Sequence, residues 1–225
     1  LKKASINKDR VYHILAGGMP NFSRQSITSI ALILLNIVAA KYGDGVIAAL
    51  TISSRILALA YMIMIGWGQG FQPICAMNYG AKQYDRVKKA FKFAVIGGTL
   101  FLIIAAILLY VFSEPLIKTM SNDNEVILVG AEILRMQCIT IPLLGYFAIS
   151  SMLMQNIGQY FWASIISISR QGIFYIPLLY ILSNIFGQFG IYLLQPVADV
   201  LSFGLAVIVV RKIKFANDKC KKDGI

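Results

Sequence analysis

Asp199 is the residue whose type and position could do the most chemistry. It lies inside the last of several long apolar runs, four residues after Gln195 and three before Ser202, with Pro196 between them. Counted at helical rise it is about 8 residues, roughly 12 Å, from the nearer end of its run. Arg170 is about 9 residues, roughly 14 Å, from the opposite end of the fifth run, and Arg55 is equally far into the second run from the Asp199 side. A lone carboxylate at that depth can take up and release a proton or hold a cation, whereas an arginine neighbour keeps it ionised. Two readings stay open: a fixed ion pair of Asp199 with Arg170 or Arg55, and an Asp199 that titrates or binds a cation.

Other polar groups interrupt the apolar runs. Asn21, Gln25, Ser29 and Asn36 share one helical face of the first run, with Arg24 beside them. Such a stripe either lines a cavity or makes hydrogen bonds between helices, and Arg24 could instead extend toward the interface. In the second run Gly66 and Gly70 form a GxxxG pair that allows close helix approach. These glycines lack the preceding strand that a nucleotide-binding loop requires. Glu132 and Arg135, spaced i, i+3 near one end of the fourth run, read as a structural pair. Pro142, Pro177 and Pro196 each remove a backbone donor, so kinks or broken turns are expected in the fourth, fifth and sixth runs. Cys75, Cys138, Cys220 and the single His13 are scattered and offer neither a disulfide framework nor a zinc site. No His, Cys or paired-carboxylate constellation points to an enzyme.

The elements that must position these groups are membrane helices. Of 225 residues 58% are hydrophobic and 14% charged, with mean hydropathy +0.71, and soluble domains carry nearly twice that share of charge. Apolar runs lie near Ile14 to Tyr42, Val46 to Tyr79, Phe91 to Phe112, Ile127 to Met154, Phe161 to Ile185 and Ile191 to Val210. Each is long enough for a bilayer core of about 30 Å, which needs roughly 20 residues of helix. The third run is apolar all round apart from Thr99 and Tyr110 and is expected to face lipid.

The net charge of +11 is placed by topology, without a nucleic-acid-binding motif. Basic residues cluster before the first run, between the second and third (Lys82, Arg86, Lys88, Lys89, Lys92) and after the last (Arg211, Lys212, Lys214 and beyond). With six spans all three clusters fall on one side, so the positive-inside rule puts both termini in the cytoplasm of a multi-pass plasma-membrane protein, facing anionic lipid headgroups. The opening LKKASINKDRVYHIL is too polar for a signal peptide and reads as an amphipathic lead into a span. With Leu at position 1, it reads as the interior of a longer protein.

Several segments carry a family resemblance: GMPNFSRQSITSIA in the first span, YGDGVIAAL leading to ISSRI, GWGQGFQPICAMNYGAKQYDRVKKA, RMQCITIPLLG with SSMLMQNIGQ, and SRQGIFYIPL with QPVADVLSF. Together they resemble the multidrug and toxic compound extrusion (MATE) transporters, specifically their C-terminal six-helix lobe. The resemblance implies an all-α membrane protein whose six transmembrane helices form one of two lobes facing each other across a cleft. Residues 1–13 would be a cytoplasmic linker between lobes, 14–211 the lobe and 212–225 a basic tail.

The function this implies is export of cationic, amphipathic drugs in exchange for Na+ or H+, without a cofactor. The partners would be the N-terminal lobe, membrane lipid and the organic cation, and not nucleic acid. Asp199, Gln195, Arg170, Gln171, Arg55, Arg24 and Gln25 would line or brace the cleft. The pattern also departs from the family. Where one branch has cation-binding acids in the first and fourth helices of this lobe, this sequence offers Arg24 and Gln25 and no mid-depth acid; another branch keeps its coupling carboxylates in the other lobe. An alternative is a flippase of lipid-linked saccharides with a related fold, whose cleft arginines would meet anionic phosphates.

Overall fold

The computed structural model describes the backbone of residues 8–222 and the side chains of residues 15–212, Ala16 excepted. His13, Cys220, the basic residues before the first run and those beyond Lys212 lie outside the described side chains. Among the described residues nine α-helices follow in order: α1 (Lys8–Ala39), α2 (Asp44–Gly80), α3 (Tyr84–Val111), α4 (Ser113–Lys118), α5 (Asn124–Thr140), α6 (Leu143–Asn156), α7 (Tyr160–Ile168), α8 (Tyr175–Phe186) and α9 (Gln188–Lys222). A short 3-10 turn (Ala40–Tyr42) closes α1, and one π turn (Ser169–Ile173) joins α7 to α8. Among the described residues there is no strand.

Among the described residues five stretches are long and apolar enough to cross a membrane: α1 from Gly17, α2, α3, the α7–α8 stretch and α9 to Lys212. A sixth forms if α5 and α6 are one crossing, bent by 57° at Ile141 and Pro142. All-helical structure follows from the solvent, because hydrocarbon offers the backbone no hydrogen-bond partners.

The prolines act unequally. Pro142 marks the bend between α5 and α6, and Pro177 stands in the first turn of α8, four residues after the π turn, where Phe174 N–H donates to Ser169 C=O at 3.0 Å. No broken turn occurs at Pro196: α9 runs through it as one helix, held against α5, α6 and α8. Connections are short, and their turns use Gly43, Gly158 and Gly187 at positive φ. Asp123 caps α5, its side chain accepting from Glu125 N–H at 2.9 Å, which meets one of the unpaired donors of the first helical turn.

The bundle has two apolar cores. One joins Ile56 to Cys75 of α2 with α3, α6, Ala163 and Ile166 of α7, and Ala206 and Val209 of α9. The other joins Ala31 to Ala39 of α1 with Val46 to Leu50 of α2, Tyr175 and Leu179 of α8, and Ile191 to Ala198 of α9. Along α9 and along the α7–α8 span the chain leaves one core and enters the other. The residues between the cores are the polar ones, Asp199 and Arg170.

Among the described residues no helix of the lobe uses the GxxxG pair. Gly66 and Gly70 face open space, with nothing within 4 Å of an added Cβ. Close approach is made elsewhere: a Cβ on Gly145 would stand 2.6 Å from Thr99 Oγ1 and 3.0 Å from Thr99 Cα, so α6 meets the backbone of α3 there. The GxxxG spacing fixes a helix face but not the direction in which that face points. The third span does turn a broad apolar face outward, with Phe93, Ile96, Leu100, Ile104, Ile107 and Leu108 all exposed.

Candidate functional site

Asp199 is 2% exposed and its two carboxylate oxygens are shared among three donors. Oδ1 accepts from Arg170 Nε at 2.6 Å and from Gln195 Nε2 at 2.8 Å, and Oδ2 accepts from Thr140 Oγ1 at 3.2 Å. The Arg170 guanidinium carbon lies 5.4 Å from the centroid of the Tyr61 ring, a cation–π distance. Four spans therefore meet at one point: α2 through Tyr61, α5 through Thr140, the π turn through Arg170, and α9 through Gln195 and Asp199.

Each contribution has a local cause. Gln195 and Asp199 are i, i+4 on one face of α9, so the amide lies over the carboxylate. Thr140 ends α5 one residue before the bend, on its buried face. Arg170 sits on the π turn, whose extra residue shifts the side-chain register of the helix. That turn lies against α1, where a Cβ on Gly172 would come 2.8 Å from Ile27 Cγ2.

The pair is fixed by position as well as charge, since a buried carboxylate and guanidinium stay in the interior only when hydrogen bonds meet their remaining valences. Gln137 Oε1 and Ser202 Oγ are buried oxygens without a hydrogen-bonding partner in the protein. They lie one turn from Thr140 and one turn from Asp199 along their own helices. Replacing Tyr61 by Leu removes the ring beneath Arg170 and is expected to cost about 0.5–2 kcal/mol. Tyr61→Phe keeps the ring and should leave the thermal midpoint of the purified transporter unchanged; equal loss in both variants would assign the effect to the hydroxyl.

The other sequence-predicted residues are not part of this contact set. Arg55 is exposed and away from Asp199, so of the two ion pairs considered the structure forms the one with Arg170. Gln25 is exposed and Arg24 half-buried; the backbone carbonyls of both accept from hydroxyls one turn later, Thr28 at 2.8 Å and Ser29 at 3.2 Å. Asn21, Gln25, Ser29 and Asn36 all lie on an exposed face of α1. Gln171, beside Arg170 on the π turn, is half-buried.

Glu132 and Arg135 are not the expected pair. Among the described residues no ion pair joins them, and Arg135 Nε instead donates to Ser113 Oγ at 2.8 Å. Thr140 and Tyr61 were missed from sequence. Thr140 had a signal, a hydroxyl two residues before the span-breaking Pro142, whereas Tyr61 looks like any aromatic in an apolar run. Among the described residues there is no cluster of His, Cys, Asp and Glu that could hold a metal ion.

Comparison with known proteins places this arrangement. The MatE family model matches residues 20–181. The multidrug export protein MepA of Staphylococcus haemolyticus is 24% identical over 214 residues, covering 95% of this chain and 47% of the relative. MepA of Staphylococcus aureus (strain MSSA476) is 25% identical over 210 residues, covering 93% and 46%. The chain thus spans about half the length of the curated relatives it matches.

Among solved structures, the Vibrio cholerae MATE transporter VcmN in its bent form superposes with TM-score 0.83 at 21% identity, over 94% of this chain and 48% of that one. A multidrug resistance MATE transporter in an outward-facing conformation superposes with TM-score 0.88 at 20% identity, over 97% and 50%. These matches do not favour the saccharide-flippase reading. Six spans, bent between α5 and α6 and relaxed by a π turn before Pro177, and a family model that matches most of the chain lead to one conclusion: the chain belongs to the MatE family of multidrug efflux transporters and is one lobe of that fold.

Proposed function

We propose that this chain is the C-terminal lobe of an antiporter that exports cationic, amphipathic compounds in exchange for Na+ or H+, with both termini in the cytoplasm and an N-terminal six-helix lobe as its partner. The observation that carries the reading is the exposed polar face of α1, Asn21, Gln25, Ser29 and Asn36 on one helix. Polar side chains facing lipid are costly, and membrane helices turn them toward protein or a water-filled cleft. A second lobe opposite α1 and α2 supplies both. Gly66 and Gly70, open in the lobe, leave α2 a face that another helix can approach closely.

In this reading Gln25, Arg24, Arg55 and Gln171 line the cleft, and Met19, Phe22 and Met62, all exposed, supply adaptable apolar contacts to varied cations. Asp199, Arg170 and Gln195 join the π turn to α9. The buried oxygens of Gln137 and Ser202 leave acceptor capacity beside that pair for the coupling ion.

The test is ethidium efflux from everted vesicles carrying the complete transporter, this lobe alone, or the two lobes expressed as separate chains. Efflux that requires a Na+ or pH gradient is expected from the first and third preparations and none from the second. Transport by the lobe alone at equal expression would overturn the half-transporter reading. Efflux indifferent to both gradients would overturn the antiport.

A further inference from the structure

A second polar site lies away from the Asp199 pair. Tyr110 at the end of α3, Glu114 of α4 and Glu132 and Arg135 of α5 line a recess of about 250 Å³ whose remaining walls include Leu128 and Ile139. Leu128 and Ile139 are 67% and 73% exposed, so the recess opens onto an apolar surface.

Its level follows from two contacts. The apolar part of the third span, Phe91 to Phe112, covers about 33 Å at helical rise, which matches the bilayer core and puts Phe112 at its edge. Ser113, the next residue, is fully buried and accepts from Arg135 Nε at 2.8 Å, which holds Arg135 at that same edge. The recess is therefore at the headgroup level, on the membrane face opposite the basic loop between α2 and α3.

Its charges are unbalanced. Among the described residues neither Glu114 nor Glu132 has a basic partner within 4 Å, and Arg135, anchored through Nε, keeps its terminal nitrogens free. Two carboxylates beside one guanidinium, at the mouth of an apolar groove, complement a headgroup with an ammonium next to a phosphate. The ammonium donates to the carboxylates, the phosphate accepts from Arg135, and acyl chains lie on Tyr110 and Ile139 as the surface descends into hydrocarbon. We propose that this recess binds one amine-bearing phospholipid of the ethanolamine type. The proposal is independent of the antiport reading, since no residue of the cleft takes part in it.

The experiment is native mass spectrometry of the complete, delipidated transporter titrated with phosphatidylethanolamine, phosphatidylcholine or phosphatidylglycerol. Choline has no N–H to donate and glycerol has no positive charge, so one ethanolamine lipid should bind about tenfold more tightly than either, the worth of one charge-assisted hydrogen bond. The double variant Glu114→Gln, Glu132→Gln should lose that preference while Arg135→Gln weakens all three lipids. Equal affinity for the three lipids on the unaltered protein would overturn the proposal whether or not the variants fold. So would a preference that survives the double variant, or dodecylammonium, which has no phosphate, binding as tightly as the ethanolamine lipid.

Discussion

Asp199→Ala in the complete transporter is expected to lower stability by about 3–5 kcal/mol and to abolish energised ethidium efflux. The mutation removes the acceptor from Arg170, Gln195 and Thr140 together and leaves a guanidinium in the interior without a counter-charge, the costly way to break a buried pair. Asp199→Asn keeps one acceptor oxygen and the volume but not the charge, so it should fall between the two. Replacing both partners, Asp199→Leu with Arg170→Met, removes the uncompensated charge and should recover most of the stability, because a buried pair and well-packed apolar groups often differ little. Together with the single variants Asp199→Leu and Arg170→Met and the unaltered protein, the double variant completes a double-mutant cycle, and the coupling in its thermal midpoints measures the pair. Additive losses would mean that Asp199 and Arg170 do not depend on each other.

The same variants separate the two roles left open by the sequence. If the doubly apolar protein regains both stability and efflux, the pair only braces α9 against the π turn. If it regains stability without efflux, Asp199 or Arg170 takes part in coupling. Unchanged efflux in Asp199→Asn at normal expression would remove the carboxylate from the transport cycle.

Much of this site could be read from depth alone. Asp199 is about 12 Å from one membrane face and Arg170 about 14 Å from the other, and these add up to nearly the thickness of the hydrocarbon core. The two residues therefore stand at one level. Arg55 is about 14 Å from the same face as Asp199, near the same level, yet it is exposed and the ion pair of Asp199 is with Arg170. Depth is a one-dimensional quantity that residue counting supplies, whereas rotation about the helix axis depends on which neighbours a helix packs against. The missing rotation also explains the other differences. The i, i+3 spacing of Glu132 and Arg135 holds, but a buried hydroxyl from α4 takes the arginine. The spans themselves were legible because the membrane leaves a backbone no alternative to internal hydrogen bonding. Pro142 stands at a bend and Pro177 just beyond a widened turn, while at Pro196 the helix continues unbroken, packed against α5, α6 and α8.

Gly190→Ala is expected to prevent the lobe from folding, although Ala is the better helix former by about 1 kcal/mol. Gly187, at φ 58°, turns the chain from α8 into α9, and the tightness of that turn brings the first residues of α9 onto the backbone of α8. A Cβ on Gly190 would overlap the carbonyl oxygen of Leu182, with Ser183 N 3.1 Å away. Backbone cannot swing aside as the end of a flexible side chain can, so α9 would have to tilt away from α8. That tilt displaces Gln195 and Asp199, one and two turns further along, from Arg170. The loss should exceed the destabilisation of about 1–3 kcal/mol usual for an overpacked core, and it should appear as absent monodisperse protein after detergent extraction. Gly66→Ala and Gly70→Ala add their methyl groups to open space, and in the isolated lobe both should be neutral or slightly stabilising. In the complete transporter the same two variants are expected to reduce efflux without reducing expression if a helix of the other lobe closes on that face. Monodisperse Gly190→Ala protein with an unchanged thermal midpoint would refute the close packing of α8 on α9. Loss of the isolated lobe on Gly66→Ala would show that this face already packs within it.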